Sequence, residues 1–247
     1  VKGSLGVSDV RKLVEKVDGW LTDSEGELLY RLAKDCNKGV IVEIGSWKGK
    51  STIWLSAGSK AGNKVKVYAV DPHTGSEEHK EAYGKVWTFE EFKKNIKNAG
   101  MDDIVIPLVK ESVPAAAEFK EPVGLIFVDG AHDYESVKKD FKAWYPKVAD
   151  GGIMVFHDTF FDGPKRVVEE SVFKSGNFRK AGFVGITTFA EKVAANTRAD
   201  RARNKLTLLV KNSCQRLSGL NLPKPVRTAS KKVLASLFGL KGALGKK

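Results

Sequence analysis

The chain has 247 residues, 42% hydrophobic and 29% charged, so it is long enough for one large core and has an ordinary globular composition. No apolar run approaches about 18 residues, which excludes a transmembrane helix, and the two cysteines, Cys36 and Cys214, stand in no metal-ligand spacing, which argues against a disulfide scaffold or a zinc ribbon. The net charge of +12 lies wholly in residues 198–247, with 13 Lys and Arg against the single acid Asp200, while residues 1–197 hold 29 of each sign.

Val10, Leu13, Val14 and Val17 recur at helical spacing after Ser8, a candidate N-cap. Leu28, Leu29, Leu32, Ala33 and Cys36 repeat the pattern after Thr22 and Asp23. The period then changes. Residues 39–45, Gly-Val-Ile-Val-Glu-Ile-Gly, form a continuous apolar run closed by glycine and read as a buried strand. A helix is predicted over 51–59, a strand over 65–70, a helix over 89–98 and a strand over 104–109. A short helix over 113–119, a strand over 123–128, a helix over 135–145 and a strand over 152–156 follow. A helix over 164–173 opens on Pro164, and the β-rich composition of 178–193 predicts a closing hairpin.

Alternating strands and helices define a doubly wound, Rossmann-like α/β fold. Its sheet is mostly parallel with an antiparallel hairpin at the close, and helices cover both faces. Residues 1–194 make one domain, including N-terminal helices within 8–36. Residues 195–247 are expected to be a basic, amphipathic helical extension, interrupted by a proline-containing break at 221–225.

Ligands of such sheets bind beyond the carboxyl ends of the strands. The first of these ends carries Glu43, Gly45, Ser46, Gly49 and Ser51 between a strand and a helix. Glycines there permit a tight turn and close backbone approach, and the helix N-terminus offers free N–H groups. The spacing is neither that of a dinucleotide fingerprint nor that of a P-loop. Asp71 ends the next strand, where a carboxylate can accept both ribose hydroxyls of a nucleoside. Ser112, after the third strand, either lies by an adenine or caps a helix.

The fourth and fifth strand ends hold Asp129 and His132, then His157 and Asp158. Asp129, His157 and Asp158 can converge on a divalent cation, the carboxylates suiting Mg²⁺ and the imidazole a transition metal. His132 is a candidate general base, since imidazole titrates near neutrality. His73 and His79 fall in a polar stretch, 72–86, read either as a lid or as a solvated loop. Trp47, Trp87 and Phe160 are candidates for a stacking wall or for the core.

Taken together, Glu43-x-Gly45-x-x-x-Gly49-x-Ser51, Asp71, Ser112, Asp-Gly-Ala-His-Asp-Tyr at 129–134 and Gly-Gly-x-x-x-x-His-Asp-Thr at 151–159 resemble a class I S-adenosylmethionine (SAM)-dependent methyltransferase. Within that class the set is similar to the catechol and macrolide-sugar O-methyltransferases, over residues 19–193. The resemblance implies that Glu43 orients the glycine loop while Gly45, Ser46 and Ser51 hold the methionine end. It implies that Asp71 takes the ribose hydroxyls, that Ser112 lies by the adenine, and that Asp129 is a first metal ligand and a catalytic residue. The histidine in the His157–Asp158 pair departs from the pattern, as does His132 where the catechol enzymes carry lysine.

The activity so implied is methyl transfer from SAM to a hydroxyl of a small molecule or sugar, with Mg²⁺ or another divalent cation. The alternatives are a hydroxylase-like homologue of the same fold, and a basic RNA- or anionic-membrane-binding protein with a non-catalytic SAM-type fold. In the tail, Leu206, Leu209, Val210, Leu217 and Leu220 suit one helix face and Val226, Val233, Leu237, Leu240 and Leu244 another. Such a segment is either an ordinary packed helix with a solvated basic face or a disordered end, or a binding element; as the latter it suits an anionic membrane surface better than nucleic acid, because Phe183, Phe189 and Phe238 are the only aromatic residues beyond Phe178. Reduced cysteines and the absence of an apolar signal-peptide core after Val1 fit a cytoplasmic protein, peripheral at the inner membrane surface if the tail binds there. Val1 in place of an initiator Met fits a trimmed start, and a homo-oligomer is compatible with all of this.

Overall fold

The computed structural model describes residues 5–75 and 84–219. Two helices, α1 (Val7–Val14) and α2 (Asp23–Asp35), precede β1 (Val40–Ile44) and α3 (Lys50–Ala61). Then come β2 (Val67–Val70), α4 (Phe89–Asn98), β3 (Val105–Leu108) and α5 (Ser112–Glu118). β4 (Val123–Val128) and α6 (Tyr134–Trp144) lead to β5 (Val148–Phe156) and α7 (Asp162–Val168), which runs on into a π turn, Glu169–Phe173. β6 (Phe178–Val184) and β7 (Thr187–Lys192) close the sheet, and α8 (Arg198–Gly219) follows.

The seven strands run in the order β3-β2-β1-β4-β5-β7-β6. β1 to β5 pair in parallel, whereas β7 is antiparallel to both β5 and β6. Strand alternation sends Ile41, Val67, Leu125, Phe127 and Val155 to one face, beneath α1 to α4. It sends Val42, Ile44, Ile126, Val128, Met154 and Phe156 to the other, beneath α5 to α7. Both faces are covered, so the central strands read as unbroken apolar runs. α2 settles against α3 because Gly26 has no Cβ; one would lie 2.2 Å from the Trp54 ring nitrogen.

Several boundaries differ from the sequence reading. The N-cap of α1 is Gly6, so Ser8 lies inside the first turn. β5 starts at Val148, four residues early, and Pro164 sits in the first turn of α7 behind Asp162. α2 does begin after Thr22, whose hydroxyl and backbone N–H both meet the Glu25 carboxylate.

α8 packs on β6 and the π turn. Asn204, Thr207, Val210, Lys211 and Cys214 are buried there, with Val210 and Cys214 against Phe183. Leu209, expected on the apolar face, is 57% exposed. The apolar positions alone misplace the stripe because three of its five members are polar or charged. No described helix is long and apolar enough to cross a membrane. The second expected face, from Val226 to Leu244, together with Leu220, the 221–225 break and His79, lies outside the described residues.

Candidate active site

Backbone register lines the strand ends up in one row. Asp71 N–H donates to Leu108 O, Gly45 N–H to Val70 O, Asp129 N–H to Ile44 O and His157 N–H to Val128 O, at 2.9–3.1 Å. Along this row runs a cavity of about 930 Å³. Glu43, Gly49 and Thr52 stand behind its wall, while Gly45, Ser46, Ser51, Asp71, Ser112, Asp129, His132, His157 and Asp158 line it.

At one end the wall is made largely of backbone. Gly45 has φ +82°, and a Cβ there would lie 2.1 Å from Asp129 O. Gly49, at φ +92°, is the N-cap of α3. Both Asp71 oxygens are engaged from the protein side, Oδ2 by Trp47 N–H (2.7 Å) and Oδ1 by His73 N–H (2.6 Å). Each oxygen keeps further lone pairs for a ligand in the cavity. Ser46 Oγ is buried without a hydrogen-bond partner among the described residues. A buried orphan hydroxyl on a cavity wall suits a polar ligand group.

Ser112 starts α5 and accepts the Trp144 indole N–H at 3.0 Å. It also meets Asp140, whose carboxyl burial pushes up to about 6. Glu43 is fully buried on β1. Burial pushes its carboxyl up to about 8 against hydrogen bonds from Ser51 and Thr52, so it is neutral at pH 7. It braces the first turn of α3 from inside the core rather than touching the cavity.

At the other end the wall is made of side chains. His132 Nε2 lies 2.8 Å from Asp158 Oδ2. His157 Nδ1 lies 3.0 Å from Asp129 Oδ1 and 3.2 Å from Asp158 Oδ2, and its Nε2 lies 3.8 Å from Glu25 Oε1. Burial opposes charge on His157, but Asp129, Asp158 and Glu25 together outweigh it and push the imidazole up to about 12. Burial likewise opposes the Asp158 carboxylate, and the close contacts with His132 and His157 hold its pKa well below the ordinary range. Asp129 is pushed up by burial in spite of His157.

One donor atom each from Asp129, His132 and Asp158 fall within 4.8 Å of one another. Two hard carboxylate oxygens and one imidazole nitrogen are a donor set that fits a divalent cation. The triad read from the sequence contained His157 in place of His132. His157 lies beside this group, its buried ring 3.0 Å from Asp129 Oδ1 and 3.2 Å from Asp158 Oδ2.

Two contributors escaped the sequence reading. Glu25 reaches the site from α2, accepting Ile186 N–H at 2.9 Å and the Thr187 hydroxyl at 3.0 Å. Its place three residues after Thr22 marks a capping box and gives no hint of its long-range contacts. Phe161, 57% exposed, stacks on His132 at 5.8 Å and stands on the cavity wall with Trp20 and Trp47. Trp87 instead packs edge-on to Phe89 outside the cavity. His73 is buried at φ +59°, with Nδ1 2.9 Å from the Thr88 hydroxyl and its ring against Phe89 and Phe92.

Residues 42–159 match the family model described as a methyltransferase domain. A protein of Sinorhizobium fredii is 30% identical over 120 residues, 48% of this chain and 13% of that protein. One of Acanthamoeba polyphaga mimivirus is 29% identical over 120 residues, 47% of this chain and 50% of that protein. The chain therefore spans half or less of the length of these curated relatives. Among solved structures, the O-methyltransferase TomG of Streptomyces achromogenes, involved in tomaymycin synthesis and solved in complex with SAM, superposes with a TM-score of 0.55. It is 18% identical, and the match covers 78% of this chain and 92% of that one. Strand order, edge hairpin and flanking helices are those of the Rossmann-like methyltransferase fold.

Proposed function

We propose that this chain, which matches a methyltransferase domain over residues 42–159, transfers a methyl group from SAM to a hydroxyl oxygen of a small molecule or sugar. The observation that carries the reading is one cavity with two unlike ends. A glycine turn, the orphan Ser46 hydroxyl and Asp71 lie at one end, and the Asp129, His132 and Asp158 cluster at the other.

SAM supplies an already electrophilic methyl group, so the protein must align an acceptor oxygen with it and remove a proton. The Gly45–Ser46 turn receives the methionine end and Asp71 the ribose hydroxyls, with Ser112 beside the adenine. His132 takes the hydroxyl proton, and Asp158 holds the ring and supports its positive charge through the 2.8 Å contact. His157 keeps Asp129 and Asp158 from repelling each other. A divalent cation held by Asp129, His132 and Asp158 would polarise the acceptor hydroxyl and lower its pKa. A His132 that binds the cation does not also take the proton, so the two roles are alternatives. The aromatic wall of Trp20, Trp47 and Phe161 suits an acceptor with a flat apolar face. The basic residues of 198–247 other than the buried Lys211 would meet an anionic membrane surface.

A calorimetric titration with SAM, in Mg²⁺ and again in EDTA with NAD as control, tests the class. Micromolar SAM affinity without NAD binding is expected, and absence of SAM binding overturns the reading. On an acceptor found by screening hydroxyl compounds, His132→Ala and Asp158→Ala should each lose on the order of 100-fold in turnover or more. Near-normal turnover in both variants overturns the role given to the pair. Activity that survives EDTA assigns His132 as base; activity that fails in EDTA and returns with Mg²⁺ assigns it as ligand.

A further inference from the structure

α8 belongs to the segment that the charge pattern separates from the catalytic domain, yet one face of it meets the loop after β5. Lys211 is fully buried, without a salt bridge among the described residues. Its ammonium donates to Thr159 O at 2.6 Å and lies 5.0 Å from the Phe160 ring centroid. One turn further on, Gln215 donates its side-chain N–H to Phe160 O at 2.8 Å. Positions i and i+4 of one helix thus hold two consecutive carbonyls of one loop.

That loop carries Asp158 on one side of these carbonyls and Phe161 on the other. Asp158 sits at φ +53°, a left-handed conformation that is strained for a non-glycine residue and persists only where its surroundings impose it. The surroundings do so from two sides. Thr159 donates N–H and hydroxyl to Ile186 O at 2.9 and 2.7 Å, tying the loop to the hairpin turn. Lys211 and Gln215 tie it to α8. A leucine would fill the same space without the desolvation cost of a buried ammonium, and burial indeed pulls the Lys211 pKa down to about 8. The stem alone does not explain the residue; the donors do.

We propose that Lys211, assisted by Gln215, is a positioning residue of the active site, holding the 158–161 loop so that Asp158 engages His132 and His157 and Phe161 covers His132. This rests on the methyl-transfer reading, and it makes α8 a working part of the catalytic domain rather than an appendage.

The experiment compares Lys211→Met, Gln215→Ala and the unaltered full chain by amide hydrogen exchange and by binding of S-adenosylhomocysteine. Lys211→Met should speed exchange at Thr159 and Phe161 by at least tenfold, with a smaller rise in Gln215→Ala. β1 and β4 should keep their protection. Affinity for S-adenosylhomocysteine should stay within about twofold, because the cofactor end stands on β1, β2 and β3, across the sheet from the β6 edge that α8 covers. On the screened acceptor, kcat should fall at least tenfold while KM for SAM holds. Unchanged exchange over 158–161 in both variants overturns the proposal. So does a rise spread evenly over β6, β7 and α8 with kcat intact, which marks a merely structural contact. Should Lys211→Met fail to fold, Gln215→Ala decides by the same two criteria. If the unaltered chain does not bind S-adenosylhomocysteine, the methyl-transfer reading fails instead, and the exchange data still judge the clamp.

Discussion

The glycine-turn end of the cavity and the histidine–carboxylate end are built by different means. Gly45, Ser46, Gly49 and Ser51 come from a single strand-to-helix link, and Asp71 from the next strand in the sheet. The histidine–carboxylate end collects Glu25 from α2, Asp129 and His132 after β4, and His157 and Asp158 after β5, with Lys211 of α8 bonded to the loop beyond Asp158. The first is largely a backbone device, with no room for a Cβ at Gly45. The second is a balance of charges, in which one imidazolium answers Asp129, Asp158 and Glu25. Such a balance is sensitive to the loss of any single charge, because the remaining ones stay buried and uncompensated.

The largest expected effect sharpens the view of Glu43 as a neutral brace behind the local end. Its folded pKa is raised from 4.5 to about 8, so the folded chain holds a proton that the unfolded chain releases between those values. Stability present below pH 4.5 is therefore lost as pH rises to 8, by at most about 5 kcal/mol. Glu43→Gln keeps the neutral shape without the titration, so its melting temperature should gain on the unaltered protein from pH 5 to pH 8. A constant difference across that range would mean that Glu43 ionises as an ordinary carboxylate.

Next comes Gly45→Ala, which attacks the backbone itself. The left-handed φ and the 2.1 Å approach to Asp129 O leave no room for a methyl group. S-adenosylhomocysteine should bind on the order of 100-fold more weakly. Because the obstructing atom belongs to Asp129, the histidine–carboxylate end should shift as well, which chemical shifts of His157 would register. A binding loss with His157 undisturbed would show the two ends to be independent.

The smallest effects separate the two sides of α8. Val210→Ala removes buried contacts with Phe183 and Cys214 and should cost about 1.5 kcal/mol. Leu209→Ser, on the exposed side, should stay within about 0.5 kcal/mol in denaturant unfolding. Equal effects would contradict the register of the helix on β6.

Much of this was legible in the residues. Apolar runs marked the parallel strands, most completely β4, which is buried along its whole length. Glycine at 45 and 49 marked the turn, and β-formers marked the hairpin. Strand ends errred only by a few residues, because hydrogen bonding in a sheet is decided by neighbours and not by the segment alone.

The site was legible in unequal parts. Residue types at strand ends pointed to the cavity, because a parallel sheet brings those ends to one side whatever the order of its strands. How the two histidines share Asp158 depends on strand register, and the setting of His157 on a glutamate more than a hundred positions away. Neither is encoded in local spacing. The tail shows the same division. Its charge was plain in the sequence, but the stripe Asn204, Thr207, Val210, Lys211 and Cys214 carries too little apolar signal to announce a buried face. Local periodicity and turn chemistry determine the elements and the side of the sheet where function gathers. The pairing of buried charges, and the helix that braces them, was decided only when distant segments came together, since a buried polar group finds its partner in space and not in sequence.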